Sequence, residues 1–427
     1  YGQGMWAASL RYHEGRFYIC FVANDTRKTY LYTSEKIDGP WKKQLIEGFY
    51  HDGSLLFDED GRNYIVYGND EIWITELNED LTAPKKDGLH RLLVSDHKNP
   101  KLGYEGSHIQ KINGYYYIFL VHSLRDRWMR TEACFYSDSL EGEFTGGDVL
   151  CDDRGYCGQG VAQGGIVDTP DGKWYAMLFQ DSGAVGRIPI LLPVTWKDHF
   201  PFFGQNGHVP EEIEVHSTRP GYIYQPLVGS DDFCNGLLPR WQFNHDPDPR
   251  YYHLDALQGT YTITTREVCT ELTQAVNTLT QRMSYPSCAA EVTVDASALK
   301  EGDVAGLCAL QGCYAAVGIT KHHGKYEVLM LDKKEDGILD MTEGTVVESH
   351  QMDFRLEADF CNMKDEARCY YRVNKGDWLP IGTVHKLYFK LDHFTGCRFG
   401  LFCYAAEETG GSACFRDFKY YDVDEIS

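Results

Sequence analysis

The sequence predicts an all-β chain in two parts, an array of propeller blades followed by a sandwich of two sheets. Three observations carry this prediction. Aromatic residues make up 14% of the chain, which favours strands. Long amphipathic helical patterns are nearly absent, and four glycines recur in similar hairpin contexts. These turn glycines are Gly15, Gly61, Gly114 and Gly172. Spacings of roughly 46 to 58 residues, with several short strands in each unit, are typical of propeller blades.

Each unit carries a hairpin signal, in which an apolar stretch is followed by an Asp-Gly or Asn-Gly type of turn and an aromatic-rich strand. The second unit shows the signal most clearly, with strands predicted at 54–57 before Gly61 and at 64–67 after it. Further strands are predicted at 30–33 and 72–75. Four such units predict four blades.

One register position in these units holds chemically conspicuous residues. The ninth residue before the turn glycine is, unit by unit, Trp6, Asp52, Glu105 and Gln163. Because propeller blades surround an axis, residues that begin the innermost strands are expected to converge on one point. Two carboxylates beside an aromatic ring and an amide make a candidate acid–base site for a sugar. The alternative is that both carboxylates are ordinary turn acids at strand starts.

The pattern changes at a polar linker over 209–229, which proline and glycine punctuate. Beyond it, alternating patterns predict strands at 261–264, 290–294, 326–331 and 398–402. Turn signals recur about every 10 to 15 residues, as in a two-sheet sandwich. We therefore predict a propeller domain at 1–227 and a jelly-roll-like, concanavalin-like sandwich at 228–427.

The net charge indicates which partners the protein does not bind, and the cysteines indicate the compartment in which it works. The net charge of −22 would repel a phosphate polyanion, so nucleic acid is not expected to bind. No run of about 20 apolar residues predicts a membrane span. The 14 cysteines include no CxxC pair, and Cys20 and Cys134 lie in apolar strand contexts. We expect free thiols in a reducing cytoplasm, with secretion as the alternative.

The two marked carboxylates suit the cleavage of a glycosidic bond. One carboxyl group protonates the departing oxygen, while another activates water or attacks carbon. The acid stays protonated near neutral pH only if burial or a nearby charge raises its pKa. We assign Glu105 as the general acid and Asp52 as the residue that supplies the nearby charge and orients it.

Four further residues are candidates for substrate binding. Arg187 could bind sugar hydroxyls or form a surface salt bridge, and Gln163 could line the channel or pack between blades. Trp6 could form a wall of the sugar pocket or belong to the core. His108 is expected to line the channel or hold the strand's geometry rather than to transfer a proton.

Three stretches resemble glycoside hydrolase family 43, the five-bladed propeller enzymes that remove xylose or arabinose. They are Met5–Tyr12, Asp52 together with Leu56–Gly61, and Glu105–Ile109. The resemblance implies that Glu105 is the general acid and that Asp52 tunes its pKa and orients it. It also implies an inverting mechanism in which a separate aspartate activates water.

Other stretches are similar to the xylosidase and arabinofuranosidase branch of that family. They are Gly160–Gly165, Phe179–Asp181 and Gly186–Pro189. Arg187 matches the position that contacts the sugar in the −1 subsite. The second region, at Trp241–His245 and Asn277–Arg282, is similar to the C-terminal sandwich of β-xylosidases, classed as carbohydrate-binding module family 91.

The sequence departs from the family at two points. Many relatives carry a histidine where Gln163 stands, and that histidine helps to hold a central calcium, so no metal and no required cofactor are expected here. The family's general base is an aspartate in the first blade, and no matching segment precedes Trp6. We expect that blade, roughly 60 to 80 residues by the repeat spacing, to lie outside this chain. A fragment or a second chain could supply it, and a homo-oligomer is the alternative assembly.

The leading interpretation is an exo-acting glycoside hydrolase that removes terminal xylose or arabinofuranose from xylo-oligosaccharides or arabinoxylan fragments. Glu105, Asp52 and Arg187, in their matching contexts, motivate it. The alternative is a non-catalytic carbohydrate-binding protein, or an inactive fragment, because an inverting enzyme without its base loses most of its rate.

Overall fold

The computed structural model describes residues 3–342, 344–390 and 395–422. Contacts divide them into two units. Of the described residues, the first unit comprises 3–181 and 187–218, and the second comprises 182–186 and those from 219 onward. The outer ends of the two predicted domains, at 1–2 and 423–427, lie outside the described residues.

The first unit consists of four antiparallel sheets of four strands each, which we name blades A to D. Blade A holds β1 (Ser9–His13), β2 (Arg16–Ala23), β3 (Lys28–Ser34) and β4 (Lys42–Ile46). Blade B holds β5 (Ser54–Phe57), β6 (Asn63–Asn69), β7 (Glu71–Leu77) and β8 (His90–Ser95). Blade C holds β9 (Glu105–Ile112), β10 (Tyr115–Ser123), β11 (Arg130–Ser137) and β12 (Thr145–Leu150). Blade D holds β13 (Ala162–Asp168), β14 (Trp174–Asp181), β15 (Arg187–Lys197) and β16 (Phe200–Phe203).

The first strands of the blades contact one another in chain order, β1 with β5, β5 with β9 and β9 with β13. This is the propeller-like arrangement that the repeat predicts. Four blades are present among the described residues, so the fifth blade of the predicted ring stays a prediction. The strands predicted at 54–57, 64–67, 30–33 and 72–75 all lie within observed strands.

Apolar side chains fill the spaces between successive blades. Cluster members include Leu31 and Ile65 between blades A and B, Ile74 and Ile118 between B and C, and Phe119 and Leu178 between C and D. Each is almost fully buried. Burial of this apolar area is the main force that holds neighbouring blades together.

The turn glycines have the backbone that a hairpin requires. Gly15, Gly61, Gly114 and Gly172 all have φ between 78° and 84°, the left-handed region that glycine enters without a steric cost. The strand that follows each turn pairs antiparallel with the strand before it. The four turn glycines therefore occupy equivalent positions in the four blades, as the repeat predicts.

The second unit is a sandwich of two antiparallel sheets, as predicted. Its strands are β17 (Gln242–Phe243), β18 (Tyr252–Asp255), β19 (Thr260–Thr264), β20 (Leu279–Arg282), β21 (Ser287–Asp295), β22 (Val304–Leu310), β23 (Tyr314–His322), β24 (Lys325–Lys333), β25 (Leu339–Met341), β26 (Thr345–Val347), β27 (Gln351–Asp359), β28 (Glu366–Val373), β29 (Leu379–Lys386), β30 (Arg398–Tyr404) and β31 (Ser412–Asp422). One sheet has the order β17-β20-β30-β22-β23-β24-β25, with β26 also paired to β24. The other has the order β18-β19-β31-β21-β27-β28-β29.

Helical structure in the described ranges is limited to three short 3₁₀ turns. They are Gly183–Val185, Leu272–Gln274 and Cys361–Met363. No helix among the described residues is long and apolar enough to cross a membrane. All 14 cysteines lie in the described ranges and are free, and Cys20 and Cys134 are buried as predicted.

Candidate active site

The start of β9 is tied to the residue that precedes β5. The backbone N–H of Gly106 donates to Oδ2 of Asp52 at 3.0 Å. The Ser107 hydroxyl donates to the backbone oxygen of Asp52 at 2.7 Å. These two bonds join blades B and C and place the Glu105 side chain beside the Asp52 carboxylate.

The four register residues do not all begin their strands. Glu105 and Gln163 lie at the starts of β9 and β13, but Trp6 and Asp52 precede β1 and β5. The expectation is therefore wrong for these two. Asp52 has a φ of 49°, so the chain turns there before it enters the strand. Trp6 extends alongside β2, where its backbone N–H donates to Val22.

His51 links the two carboxylates, and sequence reasoning missed it. Its Nε2 lies 3.7 Å from Oδ1 of Asp52 and 3.7 Å from Oε2 of Glu105. Burial lowers the pKa of His51, but Glu105 and Asp52 outweigh it and leave the pKa above its ordinary value. The ring of Trp6 lies 6.4 Å from the imidazole, centroid to centroid, which places the tryptophan at the edge of this group.

The environment of Asp52 disfavours its ionised form. Its side chain is almost fully buried, and this burial raises its pKa to about 6. The imidazole of His51 opposes that rise, and the charge of Glu105 adds to it. Glu105 is more accessible, and Asn69 Nδ2 donates to its Oε2 at 2.8 Å. The two acids thus have different environments, as unequal catalytic roles require.

Gln163 is fixed at both its backbone and its side chain. Its φ of 69° is a strained value for glutamine. The backbone N–H donates to Glu132 at 2.7 Å, and the side-chain oxygen accepts from Arg130 Nη2 at 2.6 Å. A Cβ on Gly106 would stand 2.8 Å from the Gln163 side chain. Only glycine after Glu105 therefore lets the Gln163 side chain lie this close to the backbone of β9.

Arg187 belongs to an ion-pair group that joins blades C and D. Its Nε lies 3.1 Å from Oδ1 of Asp181, whose Oδ2 accepts from Arg130 Nη1 at 3.0 Å. The guanidinium carbons of both arginines lie 4.4 Å from the centroid of the Phe179 ring. The positive charge of Arg187 also acts on the Asp52 carboxylate. Arg187 and Asp52 thus belong to one electrostatic group.

His108 lies deeper along β9 than the acids. Burial, together with the charge of Arg11, lowers the pKa of His108 to about 3, so its imidazole is neutral. Its ring packs against the backbone of Gly165. A neutral imidazole at this position fits a channel lining, and its contact with sugar stays a prediction.

The surroundings of Gln163 do not fit a bound calcium ion. Calcium needs several oxygen ligands free to face it. Here the side-chain oxygen of Gln163 already accepts a hydrogen bond from Arg130, and this guanidinium carries a positive charge that would repel a second cation. We therefore derive no step through a metal.

The residues that sequence reasoning missed share one property. Asn69, His51, Arg130 and Glu132 contact the register residues but lie outside the register that revealed them. His51 could have been found because it precedes Asp52 directly. Asn69, Arg130 and Glu132 reach the site through tertiary packing, for which the sequence carries no local signal.

A cavity of about 290 Å³ lies at the opposite ends of the first strands. Its lining includes Arg11, Phe57, Ile112, Asp168 and Trp174. Neither Asp52 nor Glu105 contributes to it. The acid pair and this cavity are thus separate features of the blade unit.

Comparison with known proteins matches two different families to two successive regions of the chain. Residues 1–201 match the family described as "Glycosyl hydrolases family 43". Residues 230–421 match the "Beta xylosidase C-terminal Concanavalin A-like domain". A solved structure described as "Bifunctional GH43-CE Bacteroides eggerthii" is 41% identical with a TM-score of 0.88, and the match covers 100% of this chain and 55% of that one.

Several curated relatives carry xylosidase names. A putative beta-xylosidase of Xylanibacter ruminicola is 28% identical over 75% of this chain and 61% of its own length. A beta-xylosidase of Formosa agariphila is 25% identical over 99% of this chain and 78% of its own. The match thus spans less than two thirds of the first relative and of the Bacteroides structure.

We expect Asp52→Asn to stabilise the protein, and to do so more at pH 8 than at pH 4.5. The folded-state pKa of Asp52, about 6, lies above its ordinary 3.8. The folded state therefore retains a proton that the unfolded chain releases, and the free energy of unfolding falls as the pH rises from 3.8 to 6. The two-unit shift corresponds to about 3 kcal/mol above pH 6. Thermal melting at both pH values measures this gain.

Asp58→Asn is the matched control. Asp58 is also buried, but Lys111 donates to its carboxylate at 2.7 Å, so its removal breaks a buried pair and should lower the melting temperature. An Asp52→Asn variant that melts below wild type at pH 8 would contradict the account of Asp52.

Proposed function

We propose that this chain, which belongs to glycosyl hydrolase family 43, removes terminal xylose or arabinofuranose from xylo-oligosaccharides or arabinoxylan fragments with inversion. The observation that carries the proposal is the pairing of a buried aspartate, Asp52, with a more accessible glutamate, Glu105, across two blades. The relatives that are named xylosidases support xylose as the first sugar to test.

The spacing of the two acids supports distinct roles for them. Oxygens of Asp52 and Glu105 lie within 4.8 Å of each other and of a His51 nitrogen. An acid and a base that invert a glycoside stand about 6.5–9.5 Å apart, to leave room for water. Asp52 is therefore unsuited to be the base, and its Oδ2 is already engaged by Gly106. We assign the base to the aspartate that the family resemblance places upstream of Trp6.

The proposed reaction follows from these positions. Glu105 donates its proton to the glycosidic oxygen as the bond from that oxygen to the anomeric carbon breaks. The upstream aspartate takes a proton from water, whose oxygen attacks the anomeric carbon from the opposite face. Asn69 and His51 hold the Glu105 carboxyl group, and the Asp52 carboxyl group lies beside it. Arg187 binds hydroxyls of the terminal sugar.

The short distance between Asp52 and Glu105 also favours a second candidate function, carbohydrate binding without hydrolysis. A retaining pair stands about 5–5.5 Å apart, near the spacing of Asp52 and Glu105, but the burial of Asp52 makes it a poor nucleophile. A site that contains only this close pair would bind sugar without hydrolysing it. A non-catalytic carbohydrate-binding protein is therefore the competing proposal.

Exposed apolar side chains on the outer blades support the proposal of a further blade. They are Leu10 and Tyr12 on β1, and Val167, Met177 and Phe202 on blade D. Apolar groups of this kind are buried between the other blades. We propose that a blade-sized segment, which also carries the base, covers them.

Replacing Glu105 with Gln should strongly reduce the hydrolysis of xylobiose, because the amide cannot donate the proton that a departing sugar needs, and should reduce the hydrolysis of nitrophenyl xyloside and nitrophenyl arabinofuranoside less, because nitrophenolate departs without it. Loss of one general acid–base group costs about 10²–10⁴-fold in rate. Xylobiose binding, measured by calorimetry, should survive. The control is Glu59→Gln, which changes an exposed glutamate and should retain wild-type turnover. Undiminished turnover by Glu105→Gln would sink the assignment.

The first product released from a nitrophenyl β-xyloside should be α-xylose. Attack by water on the face opposite the leaving group inverts the anomeric centre. Proton NMR during the first minutes, before mutarotation, measures the anomer. Initial release of β-xylose would instead indicate a retaining reaction, with Asp52 as the nucleophile to test.

The active form should contain more polypeptide than one copy of this chain. The chain has a mass of 48.7 kDa, and the proposed further blade would add roughly 60 to 80 residues. Native and denaturing mass spectrometry of a hydrolytically active sample measure both assembly and components. Full activity from a monomer of this chain alone would contradict the proposed further blade.

A further inference from the structure

We propose that Arg130 is the positioning residue of the sugar site, because it fixes both Gln163 and, through Asp181, Arg187 around Glu105. This inference rests on the proposed function, which assigns Glu105 and Arg187 but gives Arg130 no role. Arg130 is the first residue of β11, and only 3% of its surface is exposed. It therefore acts on other protein groups rather than on bulk solvent.

The Arg130 guanidinium divides its hydrogen bonds between two residues of the candidate site. Nη2 donates to the Gln163 side-chain oxygen at 2.6 Å, and Nη1 donates to Oδ2 of Asp181 at 3.0 Å. A planar guanidinium has a fixed angle between its donors. The directions of both acceptors are thus set by one rigid group, which a lysine ammonium could not reproduce.

Asp181 passes this constraint on to Arg187. Its Oδ1 lies 3.1 Å from Arg187 Nε, so one carboxylate joins two guanidinium groups. Two like charges this close repel each other, and the shared carboxylate, itself 7% exposed, offsets that repulsion. Without Arg130, the Asp181 carboxylate would keep only Arg187 of these two partners. Asp181 would then hold Arg187 less firmly.

Phe179 limits the remaining freedom of both arginines. Both guanidinium carbons lie 4.4 Å from its ring centroid, within the range of cation–π attraction. Burial lowers the pKa of Arg130 while Asp181 opposes this, and at neutral pH the arginine stays charged. The aromatic ring and the shared carboxylate together keep the two guanidinium groups at fixed positions.

The backbone and the side chain of Gln163 are held by different residues, so Arg130 controls only the side chain. Glu132 holds the Gln163 backbone at 2.7 Å, where φ is 69°. Because the strained backbone is held by Glu132, the contact from Arg130 determines where the amide points. The amide packs against Gly106, the residue after Glu105, so a change in its direction alters the pocket beside the acid.

Arg130→Met should reduce kcat/KM for nitrophenyl xyloside by roughly 10- to 100-fold, since small displacements of positioning groups have effects of this size. Most of the change should be a higher KM, because binding contacts are lost in ground and transition states alike. Arg130→Lys, which keeps the charge but not the fork, should recover part of the loss. In an Arg187→Met background, Arg130→Met should cost less than in wild type, because its effect passes partly through Arg187.

Arg91→Met is the matched control. Arg91, on the outer strand β8, donates to the backbone oxygens of Leu140 and Gly142. This change should leave KM and kcat near wild type, and melting temperatures identify any loss of folded protein. Wild-type KM and kcat in Arg130→Met would overturn the inference. So would an equal loss of kcat/KM when Arg130→Met is made in wild type and in the Arg187→Met background.

Crystal structures of wild type and Arg130→Lys separate this inference from the proposed function. We expect the Gln163 amide and the Arg187 guanidinium to move in the variant while the Glu105 backbone stays in place. If wild type neither binds nor hydrolyses a xyloside, the proposed function fails, and these coordinates still decide the role of Arg130. Unmoved Gln163 and Arg187 side chains would overturn it.

Discussion

The hydrogen bond from the Gly106 backbone to the Asp52 carboxylate is the interaction on which the candidate site depends. With the Ser107 bond to the Asp52 backbone, it joins two blades at the point where β9 begins. Each bond is worth only about 1–3 kcal/mol in stability, but together they fix geometry. Glu105 precedes Gly106 directly, so the bond that satisfies Asp52 also sets the place of the acid.

The same junction contains several groups whose conformation or burial lowers the stability of the fold. Asp52 and Gln163 both adopt left-handed backbone conformations, and a buried carboxylate faces a second carboxylate. Strain and buried charge of this kind cost stability and are typical of functional sites. The apolar clusters between blades supply the stability that offsets them. Their residues lie on strands that hold the junction from both sides.

Much of the fold could be predicted because its signals are local. A turn glycine and its flanking strands repeat in four units, and the structure retains that register. The fifth blade stays a prediction, because the described residues of this unit form four. The site was predicted in part, since register alone places Asp52 near Glu105. Counting back from the turn glycine could not show that Asp52 precedes its strand, because the count does not say where the strand begins.

The supporting residues were missed for a different reason. Arg130, Glu132 and Asn69 reach the site across blades, and nothing in their neighbouring sequence distinguishes them from surface or core residues of a strand. Burial reveals Arg130 and Glu132, because a polar side chain inside a protein must have a partner. His51 is the exception, since it adjoins Asp52 in the sequence. Function thus depends on contacts that periodicity does not encode.

A crystal structure of Glu105→Gln with bound xylobiose tests the central claim most directly. The account predicts that the glycosidic oxygen lies within hydrogen-bond distance, about 2.6–3.2 Å, of the side chain at position 105. It also predicts that Arg187 contacts hydroxyls of the terminal sugar. Xylobiose bound only elsewhere, for example in the cavity that Arg11 and Trp174 line, would contradict it.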